Sequence, residues 1–287
     1  MKTILVPTDY SENSKAGMKF ALQWADKEEV KLLFIHVLQV KRETGMTEHE
    51  YHHCIAGKLR HEKHVLETFL QAVFAEFNVQ PEHYAIEVVE GFSADTSLLA
   101  YCERHSEISY ICISTRGASG IQKVLGTNTG NLITASATPV VAVPLNYQEN
   151  GLNKILYASD FMDYPQEIEK VINFARPLKA QIEILHFSWP YEDYSDDSAF
   201  QRDYEYGFTL SFPAHDVTQR LITNLHDEIQ EKKPSVVVMF THQEKKFWDK
   251  IFSPSKTELL SFRLDVPLLV FRKERKKRGV SDKLRHE

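Results

Sequence analysis

Two stretches carry residue types suited to holding a nucleotide, and each follows a short apolar run. In Pro7-Thr8-Asp9-Tyr10-Ser11, the Asp9 carboxylate can accept hydrogen bonds from an amino or hydroxyl group of a nucleoside. The second stretch runs from Ser114-Thr115-Arg116-Gly117 through Gly120 to Gly126-Thr127-Asn128-Thr129-Gly130. Glycines let a backbone approach a phosphate closely, and the amides of such a loop, with the N-terminus of a following helix, can cradle it. Taken singly, Asp9 or Ser11 equally suits a helix cap, and Gly117, Gly120 or Gly126 equally suits a turn. The combination of three glycines, hydroxyls at Thr127 and Thr129, and an upstream Asp at a strand end points to a phosphate and nucleoside site. A third group, His49, His52, His53, His61 and His64 with Cys54, has spacings that share a helix face and would suit a transition metal. Its neighbours Glu48, Glu50, Lys58, Arg60 and Lys63 mark a solvated helix, and no metal is assigned.

The elements that must position these residues follow from hydrophobic periodicity. Ile4 to Pro7 reads as a strand, Ala16, Phe20, Ala21 and Trp24 as a helix face, and Val30 to Leu38 as a second strand. The pattern continues with helix His52 to Phe77, strand Tyr84 to Glu90, helix Ser93 to His105, strand Ser109 to Ser114, helix Asn128 to Ala137 and strand Val140 to Val143. Strands apolar at every residue imply burial on both faces, the condition of a parallel sheet covered by helices. In such an open α/β sheet, ligands bind beyond the carboxyl ends of the strands, which is where Asp9 and Ser114 fall.

The pattern then repeats. Lys2 to Asp9 returns as Asn153 to Asp160, Leu33 to Val37 as Glu183 to Phe187, Ile111 to Gly117 as Val237 to Gln243, and Thr138 to Val143 as Val266 to Phe271. The expected fold is therefore two tandem, open-twisted, five-stranded parallel-sheet α/β domains, over residues 1–147 and 152–273, the second degenerate. The interval from His186 to Pro267 is shorter than that from His36 to Pro139, which implies a trimmed middle helix; the acidic stretch Tyr191 to Asp197 reads as a loop in its place. Asp160 returns in place of Asp9, but Phe240, Gln243 and Pro254 stand where Ser114, Gly117 and Gly126 stood. Bulky side chains would fill a phosphate cradle and proline removes a donor, so the second half is predicted not to bind nucleotide in this way. The basic run Arg272-Lys273-Glu274-Arg275-Lys276-Lys277-Arg278 reads as the start of a solvated end, with 274–287 as a tail.

The chain has 287 residues, enough for two ordinary domains with separate cores. Its formal net charge of −6 argues against general binding to nucleic acid or membrane surfaces. Cys54, Cys102 and Cys112 lack metal-type spacing and suit a reducing compartment, no signal peptide opens the sequence, and no run of apolar residues is long enough to span a membrane. A cytoplasmic protein is expected. A Walker A loop, a GxGxxG fingerprint, a GxSxG elbow and the HxGH or SGGxDS signatures are all missing from the sequence.

On these residues the chain resembles the universal stress protein family in its tandem, two-domain form. Nucleotide-binding members open with a strand ending Pro-Thr-Asp-x-Ser, here Pro7, Thr8, Asp9 and Ser11. They also carry a loop of Gly, two residues, Gly, nine residues, Gly, then Ser or Thr. Here it is Ser114, two residues, Gly117, eight residues, Gly126 and Thr127, so a serine replaces the first glycine and the spacer is one residue shorter. The resemblance implies ATP or a related adenine nucleotide, with or without Mg, bound by the first half as a stress-response sensor or switch. It implies contacts from Asp9 to the nucleoside, from the Val37 backbone to adenine, from Ile113 and Ser114 along the sugar, and from Gly117, Gly126, Thr127, Asn128 and Thr129 to phosphates. It also implies that the strands at Pro139 to Val143 and Pro267 to Phe271 meet as an internal pseudo-dimer, with a further homodimer as an option. With no base set on a nucleophile, catalysis would amount at most to a weak ATPase; a slow ATPase and a binder of another small molecule, lipid or metal are the rival readings.

Overall fold

Every residue of Thr3–Val6 is buried, and successive side chains go to opposite faces of one sheet: Ile4 and Val6 join one apolar cluster and Leu5 the other. The computed structural model describes residues 1–40, 45–115, 127–161, 163–187, 204–213, 221–241 and 265–273. The first half runs β1 (Lys2–Pro7), α1 (Lys15–Lys27), β2 (Val30–Leu38), α2 (Glu48–Phe77), β3 (Tyr84–Glu90), α3 (Ala94–Arg104), β4 (Ile108–Ser114), α4 (Thr127–Ala135) and β5 (Val140–Val143). The second runs β6 (Lys154–Ala158), α5 (Tyr164–Leu178), β7 (Gln181–Leu185), β8 (Phe208–Ser211), α6 (Leu221–Lys232), β9 (Val236–Thr241) and β10 (Leu268–Arg272).

All strands lie in one ten-stranded sheet, ordered β3-β2-β1-β4-β5-β10-β9-β6-β7-β8. Each half is parallel within itself, and the two join where β10 pairs antiparallel with β5, Leu268 opposite Ala142 and Val270 opposite Val140. That pairing covers two strand edges that would otherwise lie open. Helices α1, α2 and α5 cover one face through Phe20, Trp24, Leu70, Phe74 and Phe174. Helices α3, α4 and α6 cover the other through Leu98, Leu132 and Leu225. The core is shared across the join: Trp24 of α1 packs edge-on against Phe174 of α5 at 5.0 Å, both fully buried.

The elements agree with the periodicity, with shifts at helix ends that capping explains. Helix α2 starts before His52 because Thr47 and Glu50 form a capping box, and it stops at Asn78, whose φ of 51° breaks the helical path. In the second half, β7 ends at Leu185 and β8 begins at Phe208, a shorter connection than Leu38 to Tyr84 in the first. The acidic stretch Tyr191 to Asp197, Gln243, Pro254 and the tail 274–287 lie outside the described residues.

Candidate functional site

The carboxyl ends of β1, β2 and β4 meet at the point where strand order reverses, since β2 and β4 lie on opposite sides of β1. The loop after β1 is folded by its own side chains. Thr8 is buried; its hydroxyl lies 2.9 Å from Ser14 Oγ and accepts from the Tyr10 amide at 3.0 Å. Asp9 accepts from the Ser11 amide at 3.1 Å and from Ser11 Oγ at 2.5 Å, an Asx turn that holds the carboxylate at the surface. Tyr10 takes a φ of 63°, which turns its ring onto His36 at 4.3 Å and lets its hydroxyl donate to Glu62 of α2 at 3.2 Å. Burial, then the Glu62 carboxylate, pushes the Tyr10 phenol well above its usual range. His36 Nδ1 in turn lies 2.8 Å from the Thr8 carbonyl oxygen.

The strands differ in length beside this loop. The β1–β2 ladder stops at Pro7 opposite Ile35, extended by one bond from the Thr8 amide to the Ile35 carbonyl, while β2 continues to Leu38. Successive residues of a strand aim their backbone groups to alternate sides. Leu38 accepts from Gly91 on the β3 side, so Val37 aims its N–H and C=O to the β1 side, beyond the end of β1. A donor and an acceptor side by side suit the hydrogen-bonding edge of a purine base.

Ser114 ends β4. Its hydroxyl accepts from the Gly17 amide at 2.7 Å and donates to the Ser14 carbonyl at 3.1 Å. Ser14 precedes α1 without capping it through its side chain, so a residue distant in sequence satisfies the first turn. Gly17 suits this close approach: a Cβ there would lie 3.0 Å from Ser114 N and 3.2 Å from Ile113 C, a tight fit. The serine in the position of the family's first glycine thus joins β4 to α1. Opposite it, α4 begins at Thr127, with Asn128 half-buried and Thr129 buried, and the Thr129 hydroxyl donates to the Ser114 carbonyl at 3.2 Å. Asn131 donates to Asp95 at 2.6 Å and ties α4 to α3. The structure thus brings Pro7, Thr8, Asp9, Ser11, Val37, Ile113, Ser114, Thr127, Asn128 and Thr129 to one end of the sheet. Gly117 and Gly126 lie outside the described residues. The five histidines of α2 are all exposed, and among the described residues no three metal-ligating side chains converge.

The second half repeats the frame and fills it. The Ser159 amide donates to Leu185 O at 2.9 Å, His186 Nδ1 lies 2.9 Å from Ser159 O, and Phe161, with φ 57°, packs on His186 at 4.5 Å. Asp160, however, is clamped: Lys273 Nζ donates to both carboxylate oxygens at 2.8 and 2.7 Å and lies 3.1 Å from Glu167 Oε1. Glu167 also accepts from the Tyr157 hydroxyl, which accepts from Ser159 Oγ at 3.0 Å. Burial of Lys273 opposes its charge, but the Asp160 and Glu167 carboxylates outweigh that and hold its ammonium above the ordinary range. Burial raises Glu167 despite its bonds to Tyr157 and Lys273. Phe240, in place of Ser114, stacks on Phe271 at 5.0 Å. The sequence predicts a solvated Lys273, within a basic run. Its side chain is 3% exposed, because it is the first residue past β10 and points back to two carboxylates.

A family model described as the universal stress protein family matches residues 1–144. No curated protein matches the chain. Among solved structures, the fold is similar to that of a universal stress protein from Archaeoglobus fulgidus DSM 4304, with a TM-score of 0.69 and 17% identity over 95% of this chain and 98% of that one. It is also similar to a functionally unknown protein from Pseudomonas aeruginosa PAO1, with a TM-score of 0.56 and 14% identity over 95% of this chain and 92% of that one. At these identities the likeness concerns the fold, whereas the family match spans the half that carries Asp9, Val37 and Ser114. The chain belongs to the universal stress protein family.

Proposed function

We propose that the first half binds ATP or a related adenine nucleotide as a stress-response sensor or switch, and that the second half is its degenerate internal partner. One observation carries this reading: the two halves share the turn after their first strand, but Asp9 is exposed with only Ser11 as its described partner, whereas Asp160 is held by Lys273. The Val37 backbone beyond the end of β1 supports an adenine edge there, and the start of α4 supports phosphates beside it. The antiparallel β5–β10 pairing supports the reading of the halves as an internal pair.

Mass spectrometry of ligand released from freshly purified protein, with ATP titration of wild type, Asp9→Ala and Asp160→Ala, tests the proposal. One nucleotide per chain is expected, with binding weakened about tenfold or more by Asp9→Ala, as for a hydrogen bond to a charged group, and unchanged by Asp160→Ala. No released nucleotide and no saturation at millimolar ATP in wild type would overturn it.

A further inference from the structure

At the same end of the sheet as the proposed adenine edge stands an aromatic ring that the site as described leaves unused. Phe92 is 95% exposed, the second residue past β3, at the same end of the sheet as Asp9 and Val37. Its position follows from Gly91. The Gly91 amide donates to the Leu38 carbonyl at 3.1 Å, which fixes this residue against the end of β2. A Cβ on Gly91 would lie 1.9 Å from Ser97 Oγ and 3.0 Å from Val37 Cγ1, so the chain passes against Val37 only because residue 91 has no side chain. The next Cα, that of Phe92, lies ~3.8 Å further along. Ser97 Oγ donates back to the Ser93 carbonyl at 2.7 Å, closing the turn into α3 and leaving Phe92 at its tip. The other exposed large apolar residues among those described, Met1 and Val79, lie at the chain start and just after α2, away from the strand ends that form the site.

We infer that Phe92 is a base-stacking residue: its ring packs on the face of the aromatic base whose edge is held by the Val37 backbone. The inference rests on the adenine-nucleotide reading above and extends it from a phosphate and nucleoside site to one that selects for an aromatic base. A phenyl ring supplies flat apolar area with two side-chain torsions to fix, and base–aromatic contacts tolerate a partly open setting. Phe92 is thus a positioning and affinity residue.

The test uses the full chain. Phe92→Ala is expected to weaken ATP binding roughly tenfold, the scale of losing one stacked base contact, and Phe92→Tyr to restore it. Because the residue is exposed, neither change removes core packing; an unchanged thermal midpoint confirms that. In Phe92→Trp, the new indole emission is expected to be quenched as ATP saturates the site. Phe92→Ala affinity within about twofold of wild type, or an indole unmoved at saturating ATP, would overturn the stacking role. If Asp9→Ala still weakened binding, nucleotide binding itself would stand. A wild type that fails to bind ATP overturns both.

Discussion

The turn after β1 and the turn after β6 are the same piece of geometry put to different ends. In both, a hydroxyl residue receives the amide two positions on, the following aromatic takes a left-handed conformation, and its ring covers a histidine whose Nδ1 meets a backbone carbonyl. That frame is a folding device, since it persists where the pocket is filled. The differences lie in three places. Asp9 reaches solvent where Asp160 reaches Lys273; β2 outruns β1 where β7 stops level with β6; and Gly17 admits Ser114 where Glu167, as far before His186 as Gly17 is before His36, sends a buried carboxylate toward Lys273. The two halves share the frame and differ in the side chains set into it.

The largest effect is expected where that filling is removed. Lys273→Met leaves the Glu167 carboxylate, 4% exposed, without its cation and should cost ~3–5 kcal/mol in urea unfolding. Adding Glu167→Gln should recover much of the loss, because the buried charge goes with it. pH gives a second reading. Glu167 is raised in the folded protein, so the folded state holds its proton more tightly than the unfolded one, and stability falls as pH climbs from about 4.3, the unfolded Glu value, through the raised one. Lys273 is raised too; its contribution is complete below the unfolded lysine value near ~10.4 and is lost as pH rises through the folded one. Glu167→Gln should flatten the acidic slope. A Lys273→Met protein of wild-type stability would mean that the clamp is incidental.

A middle effect is expected at the joint that only the first half has. Gly17→Ala places a methyl 3.0 Å from one backbone atom and 3.2 Å from another, and backbone cannot step aside as a side-chain tip would. The cost should be ~1–3 kcal/mol, as for overpacking, seen in denaturant midpoint. Ser114→Ala should cost about 1 kcal/mol by leaving the Gly17 amide without its acceptor. A harmless Gly17→Ala would show that β4 and α1 can separate, and the contrast with Glu167 would lose its basis.

Much of the fold is legible in the sequence. Strands apolar at every position gave the parallel order, and the returning Lys-Ile-Leu and His motifs gave the second half. Asp9 stood out only in combination with the glycine-bearing stretch, because a lone carboxylate after a strand equally suits a helix cap. Lys273 was not legible, because its charge matched the basic run that follows, and its burial depends on two carboxylates far away in sequence. The hydroxyl of Ser114 was equally hidden: sequence marked it as a departure from glycine, but its partners on α1 are set by how the helix crosses β4. Val37 was reached by resemblance alone, since the place of its backbone edge past the end of β1 follows from β1 ending before β2, a difference in length that periodicity reports only within a residue or two.

The smallest effect is expected at the one polar difference inside the shared frame. Tyr10 and Phe161 occupy the same left-handed position and pack on their histidines at 4.3 and 4.5 Å, but only Tyr10 carries a hydroxyl, which donates to Glu62 and ties the loop to α2. Because burial and Glu62 raise the Tyr10 phenol, it stays protonated and remains a donor throughout the neutral range. Tyr10→Phe makes the first turn like the second and should cost ~0.5–1.5 kcal/mol, the net worth of one partly exposed hydrogen bond, with little dependence on pH between about 6 and 8. Thermal and urea unfolding would measure it. If the loss exceeded about 2 kcal/mol, the hydroxyl tether to α2 would be holding the Asp9 loop in place. Stacking on histidine would then not suffice to set the turn, and the likeness of the two frames would be one of shape without shared energetics.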